Sequence, residues 1–512
     1  MVLKLLSRSP LASIPSSTAS ATHDINAGSL IPSLNRKSAT WFYTTVVIVA
    51  SLLVLEQAVY RYKKRHLPGA SWTIPIIGKF ADSVSPTLDK YKSQWNSGVL
   101  SAVSVFNIFI VMAADNQHAR KILNSPTFTE PCLVHSAKQV LVFLNGRAHV
   151  EYRKGLNHLF TRRALSIYVA IQETIARQHI AEWLETAKDG KAQAIMMIAR
   201  FLNMDTSLHV FCGNHLPDEA AREINDKYWL ITQSLELVNF PLALPGTKVY
   251  KAIQARKAAM RWLELAAKRS KIAMAEGKEP KCMLDEWVTI LADPNYKGRT
   301  EFSDREMAMV LLSFLFASQD AMSSGLIYAF QHLADHPEVM AKVREEQERV
   351  RQGNYETPLT LETLDQMPYL NAVVKESMRV KPPVVMVPYV ATKAFPISDD
   401  YTVPAGSMVI PAFYDSLHDP SVYYEPDNFL PERWLDATGA ANANPKNYLV
   451  FGSGPHRCIG IDYACMNIAL VLATATAMMN WEHEITPQSE EVEIIATLFP
   501  KDGCRLKLSR NN

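Results

Sequence analysis

Cys458 is the residue best placed to do chemistry in this chain. It lies in Phe451-Gly452-Ser453-Gly454-Pro455-His456-Arg457-Cys458-Ile459-Gly460, and a helix-like run, Ile461 to Met479, starts just behind it. Glycines let a backbone turn tightly and approach a flat partner closely, and Pro455 stiffens the loop. A cysteine at a helix N-terminus meets free N–H groups and the positive end of the helix dipole, which favour the thiolate. His456 and Arg457 add donors beside it. A thiolate so placed can ligate haem iron while its basic neighbours meet the haem carboxylates. The same residues also fit a buried structural cysteine in a glycine-rich turn, because free cysteine is commonly core.

Asp320 is the second such position. Ser303-Asp304-Arg305-Glu306 has capping-box spacing, and Met307 to Ala317 is apolar apart from Ser313, so the segment reads as a buried helix. Ser318-Gln319-Asp320 interrupts it, and a carboxylate there is costly unless paired or functional. Asp320 is thus either a working acid or one that pairs locally. His149 and Arg153 are four apart and share one helix face, which suits a clamp for carboxylates or a solvated basic face. Arg147, Lys154, Arg162 and Arg163 extend that choice to a docking patch for an acidic redox partner. Glu376 and Arg379 form an i,i+3 pair within a helical stretch, 371–379, and another helix opens at His336-Pro337 and runs to Gly353.

These residues must be carried by a chain of 512 residues, long enough for a large core. A net charge of +2 excludes a strongly basic nucleic-acid binder. The six cysteines are scattered, with no C-x-x-C metal spacing and no disulfide framework. Residues 1–40, rich in Ser, Thr and Ala, read as disordered; Lys4 and Arg8 with no acid before Asp24 also fit a presequence. Residues 41–60 read as a transmembrane helix, uncharged from Trp41 to Leu55 and about 30 Å long. Arg36 and Lys37 precede it and Arg61, Lys63, Lys64 and Arg65 follow, which places the C-terminal bulk in the cytoplasm. Residues 61–80 form a basic, Pro/Gly-punctuated hinge, and 81–512 the folded domain. Residues 81–300 read as mainly helical. Pro382 to Tyr389 reads as an extended edge, Tyr401 to Pro411 as a hairpin around Pro404-Ala405-Gly406, and Ile494 to Leu508 as a small second sheet.

The loop resembles the haem-binding signature of the cytochrome P-450 family, Phe-x-x-Gly-x-x-x-Cys-x-Gly, met by Phe451, Gly454, Cys458 and Gly460. His149 to Arg153 is similar to the family's Trp-x-x-x-Arg element, with His for Trp. Ala317-Ser318-Gln319-Asp320-Ala321 is similar to its oxygen-activation motif, with the acid kept and Ala321 where Thr is usual. Ser323 and Ser324 lie just beyond as possible stand-ins. Glu376 and Arg379, with Arg433 in Phe429-Leu430-Pro431-Glu432-Arg433-Trp434, resemble the family's structural network. His456 stands where Arg is usual. That change, Ala321, and stretches such as Val385-Met386-Val387-Pro388-Tyr389 and Thr497-Leu498-Phe499-Pro500 are closer to the fungal sterol C-22 desaturase branch.

The resemblance, over residues 68–510, implies a mostly α fold with a minor β part, a cytochrome P-450 haem domain behind a single N-terminal transmembrane helix. It implies haem b held by the Cys458 thiolate, whose electron donation favours O–O cleavage. His149, Arg153, Tyr389 and His456 would hold the propionates, and Asp320 would relay protons. Phe314, Met322, Val384, Val385, Met386, Val387, Leu498 and Phe499 would line an apolar pocket for a sterol-like lipid drawn from the membrane. Electrons would come from NADPH through a membrane-bound flavoprotein reductase, at the cytosolic face of the endoplasmic reticulum. The expected reaction is side-chain desaturation at C-22. The alternatives are hydroxylation of a steroid or triterpenoid secondary metabolite and, in another class, a non-catalytic haem- or sterol-binding membrane protein.

Overall fold

A computed structural model describes residues 36–79, 86–132, 144–187, 189–233, 244–495 and 497–511. The chain divides into two units, Met1–Leu55 and Glu56–Asn512. The described part of the first is the start of helix α1 (Arg36–Lys64). From Trp41 to Leu55 its apolar side chains are exposed, Trp41 at 73% among them, except the half-buried Leu53, as suits a segment that faces lipid. The helix overruns the expected 41–60 at both ends, so the hinge begins at Arg65 and not at 61. The expected disorder of 1–40 lies largely outside the described residues. Among the described residues two other helices are long and apolar enough to cross a membrane, Asp304–Asp335 and Ile461–Met478, but both are mostly covered by protein.

In the second unit the hinge is built into the fold. Gly69 has φ +132°, and a Cβ there would sit 2.1 Å from the Ala102 carbonyl oxygen, so only glycine fits. Ala102 N donates to Pro68 O at 2.9 Å, and Lys79 N to Ser104 O at 2.8 Å. The stretch therefore lies against strand β1 (Leu100–Val105). Tyr60 is buried, its ring 5.9 Å from Phe109 and its hydroxyl donating to Ala70 O at 3.1 Å.

Strand β2 (Ile108–Ala113) pairs with β1. These strands depart from the mainly helical reading of 81–300; their β-branched residues are buried on both faces and so do not alternate. Helices α2 (Asn116–Leu123), α3 (Gly146–Leu156), α4 (Arg162–Thr186), α5 (Met196–Cys212), α6 (Asp218–Gln233), α7 (Lys248–Ala275) and α8 (Met283–Ala292) follow. Then come α9 (Asp304–Asp335), α10 (Pro337–Arg351), α11 (Pro368–Val380) and, behind the cysteine loop, α12 (Ile461–Met478). The expected Ser303–Glu306 capping box is formed. Helix α9 packs against α5, α7, α11 and α12, with one large apolar core around it.

The five-stranded sheet has the order β1-β2-β5-β4-β3, with β3 (Thr129–Pro131), β4 (Tyr389–Ala391) and β5 (Met408–Pro411). The expected hairpin at 401–411 does not form. Thr402–Val403 pairs with Phe395–Pro396, whereas Met408–Pro411 runs parallel to β2, because Gly406 N donates to Ala391 O and turns the chain into the larger sheet. The C-terminal region makes two pieces, a hairpin (Val492–Ile495 with Thr497–Pro500) and a strand (Arg505–Arg510) in a three-stranded sheet.

Candidate haem and substrate site

The cysteine loop owes its shape to Gly454. At φ +72° a Cβ there would lie 2.2 Å from Leu123 O, at the end of α2. Asn124 Nδ2 donates to Ser453 Oγ at 3.2 Å and Cys458 N to Phe451 O at 2.9 Å, which fixes the loop against α2 and closes it on itself. The Cys458 side chain is exposed to an interior cavity of about 370 Å³. Burial pushes its thiol up; the Gly460 N–H and the charges of Arg153 and Arg457 pull the other way. In the bare chain the thiolate is therefore not the favoured state, contrary to the expectation from the helix terminus. A coordinated metal reverses that balance, since a ligating thiol is deprotonated outright.

Cavity walls come from several elements. Phe451, Gly452, Cys458 and Gly460 form one side, and Phe314, Ala317, Ser318, Ala321 and Met322 of α9 another. Polar groups gather at an edge. The His149 and His456 rings stack 3.9 Å apart at 24°. Burial, then the neighbouring His149 and Arg153, pushes His456 down to about 4, and burial and Arg153 lower His149, so the rings stack in their neutral forms without repulsion. Arg153 Nη2 donates to the Arg457 carbonyl. Tyr389 also lines the cavity, its phenol pushed up to about 12 by burial, so it stays a donor. A flat macrocycle with two carboxylates fits this set: a thiol beneath, apolar walls, and donors from His149, Arg153, His456 and Tyr389.

Several expected positions fall elsewhere. Asp320 does not face the cavity. It forms a buried ion pair with Arg200 of α5 and accepts from Thr232 Oγ1 at 3.0 Å, while the Arg200 guanidinium stacks 4.3 Å over Trp229. The local-pairing alternative thus describes Asp320, and the proton-relay expectation finds no geometry. Ser323 donates to Gln319 O and accepts from Asn203, and Ser324 donates to Leu498 O, so neither replaces the hydroxyl missing at Ala321. Of the pocket residues, Phe314, Met322, Val384 and Val387 line the cavity. Val385 and Met386 do not, because this segment is held by Phe413 N donating to Val385 O at 2.7 Å and by a bridge from Met386 to Ala412. Leu498 and Phe499 are wholly buried; Leu498 N donates to Pro383 O, and Phe499 lies under Arg200.

The Glu376 network takes the expected form. Arg379 donates to both Glu376 oxygens at 2.8 and 2.9 Å, Arg433 Nε donates at 2.8 Å, and Trp434 Nε1 adds a bond at 2.8 Å. Arg379 also donates to the carbonyls of Leu417, Pro426 and Asn428, tying the meander before the cysteine loop. Of the basic set near α3, Arg162 is engaged with Glu362 and Asp365, and Arg147 with Glu151.

Sequence reasoning missed Arg200, Phe160, Phe211 and Tyr463. Arg200 carried a usable signal, as the one Lys or Arg within Met196–Cys212, where a buried cation needs an acid. The aromatics carried none, since core and cavity aromatics look alike in sequence. Away from the cavity, His215, Cys282 and Asp285 converge. Asp285 accepts from His215 at 2.7 Å, Ser270 at 2.6 Å and Lys281 N at 3.1 Å, a satisfied hydrogen-bond set.

Comparison with known proteins agrees with this geometry. The cytochrome P450 family model matches residues 105–507. A C-22 sterol desaturase, ERG5A, of Gibberella zeae is 41% identical, over 91% of each chain. The cytochrome P450 monooxygenase oblE of Emericella variicolor is 39% identical, over 92% of this chain and 93% of that one. The fold is that of a retinoic acid-bound cyanobacterial protein, CYP120A1, at a TM-score of 0.74 and 22% identity, over 86% of this chain and 98% of the other. The chain therefore belongs to the cytochrome P450 family: it is an oxidoreductase with a haem on a cysteine thiolate, served with electrons from NADPH through a reductase.

Proposed function

We propose that Cys458 is the thiolate ligand and that the enzyme desaturates a sterol side chain at C-22. The observation that carries the reading is the apolar cavity between Cys458 and Ala321, in a chain 41% identical to a C-22 sterol desaturase. When bound, the haem supplies oxidation of unactivated C–H bonds at the expense of dioxygen. His149, Arg153, His456 and Tyr389, which line the cavity, would hold its carboxylates. Phe160, Phe211, Phe314 and Met322 pack the lipid and orient its side chain. Removing hydrogens from adjacent carbons requires both to approach within about 3–3.5 Å of the reacting centre. Rigid aromatic walls serve that end; the Phe314 ring is held edge-on by Phe160 at 5.7 Å and Phe211 at 5.9 Å.

The apolar helix α1 and the four cations Arg61, Lys63, Lys64 and Arg65 support a single span in the endoplasmic reticulum membrane, with the catalytic unit cytosolic and a membrane-bound reductase as partner. Feeding candidate sterols to the reconstituted enzyme and identifying the products tests the reading. A C-22 alkene is expected, and Cys458→Ala abolishes both the product and the thiolate-type spectrum of the reduced carbon monoxide complex. The 39% identity to a relative named as a monooxygenase favours one second reading, hydroxylation of a secondary metabolite; alcohols as sole products from every sterol would establish it in place of the first.

A further inference from the structure

Proton delivery has lost its usual-looking residues here: Asp320 is locked to Arg200 and Ala321 carries no hydroxyl. A different polar path opens on the cavity. Ser318, in its wall, meets Ser207 of α5, Oγ to Oγ 3.2 Å. Ser207 and Gln172 of α4 face the hydroxyl of Tyr463, which also lines the cavity. Those approaches are too poorly aligned to be full hydrogen bonds: that hydroxyl, both amide atoms of Gln172 and both amide atoms of Asn467, one turn along α12, are buried and make no well-formed hydrogen bond among the described residues. Gln172, Thr206, Ser207 and Asn467 are each 0% exposed.

So many unmet donors and acceptors in one seam between α4, α5 and α12 would be expensive if dry. Buried water with two to four polar partners is the ordinary remedy. We propose that this seam holds ordered water and that Tyr463, Ser207 and Ser318 form the route by which protons reach the cavity, a proposal that rests on the haem-enzyme reading but not on the identity of the sterol. Each hydroxyl gives its proton forward and takes one from the group behind it, so none changes its net charge. With its phenol pushed up to about 12, Tyr463 passes protons as a neutral group. Behind Tyr463 the route continues through the water of the seam. On that side the Tyr168 ring meets Tyr463 edge-on at 6.2 Å, its own hydroxyl donating to Leu159 O, and Glu286 of α8 is ion-paired with the exposed Arg163 at 3.9 Å. Net, one proton moves from solvent to the cavity for each one consumed there.

The test uses the full-length, haem-loaded enzyme with its reductase. Ser207→Ala, Ser318→Ala and Tyr463→Phe should keep the carbon monoxide spectrum but release more peroxide per NADPH, on the order of tenfold more, because a positioned proton donor is worth about 10²–10⁴-fold in rate. A structural role alone would not move that ratio. Independently of turnover, Gln172→Leu should lower the melting temperature, and a high-resolution structure should show water within about 2.7–3.2 Å of Tyr463 Oη and Gln172. Unchanged peroxide ratios in the three variants, or a rise in melting temperature in Gln172→Leu with no water in the seam, would overturn the proposal. An alcohol instead of an alkene from the unmodified enzyme would count against the desaturase reading alone.

Discussion

Substituting Arg200 by methionine leaves the Asp320 carboxylate, 3% exposed, in the protein interior without its cation. Breaking one side of such a pair costs about 3–5 kcal/mol, most of it the uncompensated charge. With an unfolding entropy of about 2.1 cal/mol/K per residue over the roughly 460 residues of the larger unit, the melting temperature falls by about 3–5 °C. Asp320→Asn should fall by a similar amount, because Arg200, 2% exposed, is then the orphan. The double variant Arg200→Met with Asp320→Leu should recover most of the loss, since well-packed apolar replacements of buried pairs are often neutral. The assay is loss of the carbon monoxide spectrum with temperature in the full-length enzyme, at one scan rate, beside peroxide released per NADPH. A purely pairing role predicts matched losses, recovery in the double variant and an unmoved peroxide ratio. If Asp320→Asn left the midpoint within about 1 °C and raised the peroxide ratio, Asp320 would be a proton carrier and the reasoning would fail.

Glu376→Gln should cost about 3–5 kcal/mol by leaving Arg379 and Arg433 without their counter-charge, read as a lower fraction of haem-loaded protein after purification. Deleting residues 1–55 should give a folded catalytic unit that leaves membranes on alkaline wash with its carbon monoxide spectrum intact. Deleting 1–66 should be less stable by about 3–5 kcal/mol, as for removal of a buried large aromatic, because Tyr60 goes with it; equal melting temperatures for the two truncations would refute this. Burial pushes the Asp415 carboxyl up from its ordinary range to about 6, with Lys92 opposing. The folded state then holds its proton more tightly than the unfolded chain, so Asp415 lowers stability progressively as pH rises from about 4 to 6 and constantly above. Asp415→Asn should therefore gain on the unmodified protein over that window and hold the gain at pH 7, measured by denaturant unfolding.

The cysteine loop, the Glu376 network and the His149–Arg153 face were legible because each is local or joins short motifs of fixed spacing. The capping box at Ser303 was legible for the same reason. What sequence did not show was direction. Asp320 and Ala321 are neighbours, yet about 100° of helix rotation per residue separates the acid facing Arg200 from the methyl facing the cavity. Nothing in a buried, apolar helix marks which side meets a ligand and which meets protein. The same holds for Leu498 and Phe499, apolar in either role, and for strands β1 and β2, whose two-sided burial erases the alternation that marks a strand. The turn at Gly406 looked like a hairpin because turn chemistry is local, whereas the partner of Met408–Pro411 lies almost 300 residues earlier, in β2.

The stacked rings of His149 and His456 bear on how such chains diverge. Two of this sequence's departures from its family's pattern, one on α3 and one in the cysteine loop, meet in space. The 3.9 Å stack couples those departures physically. An arginine introduced at 456 alone would press a permanent charge against a ring already beside Arg153, and a tryptophan at 149 alone would overfill the space the smaller ring leaves. Exchanging both residues together should therefore cost less than the sum of the two single exchanges, because each single one leaves a partner shaped for the other.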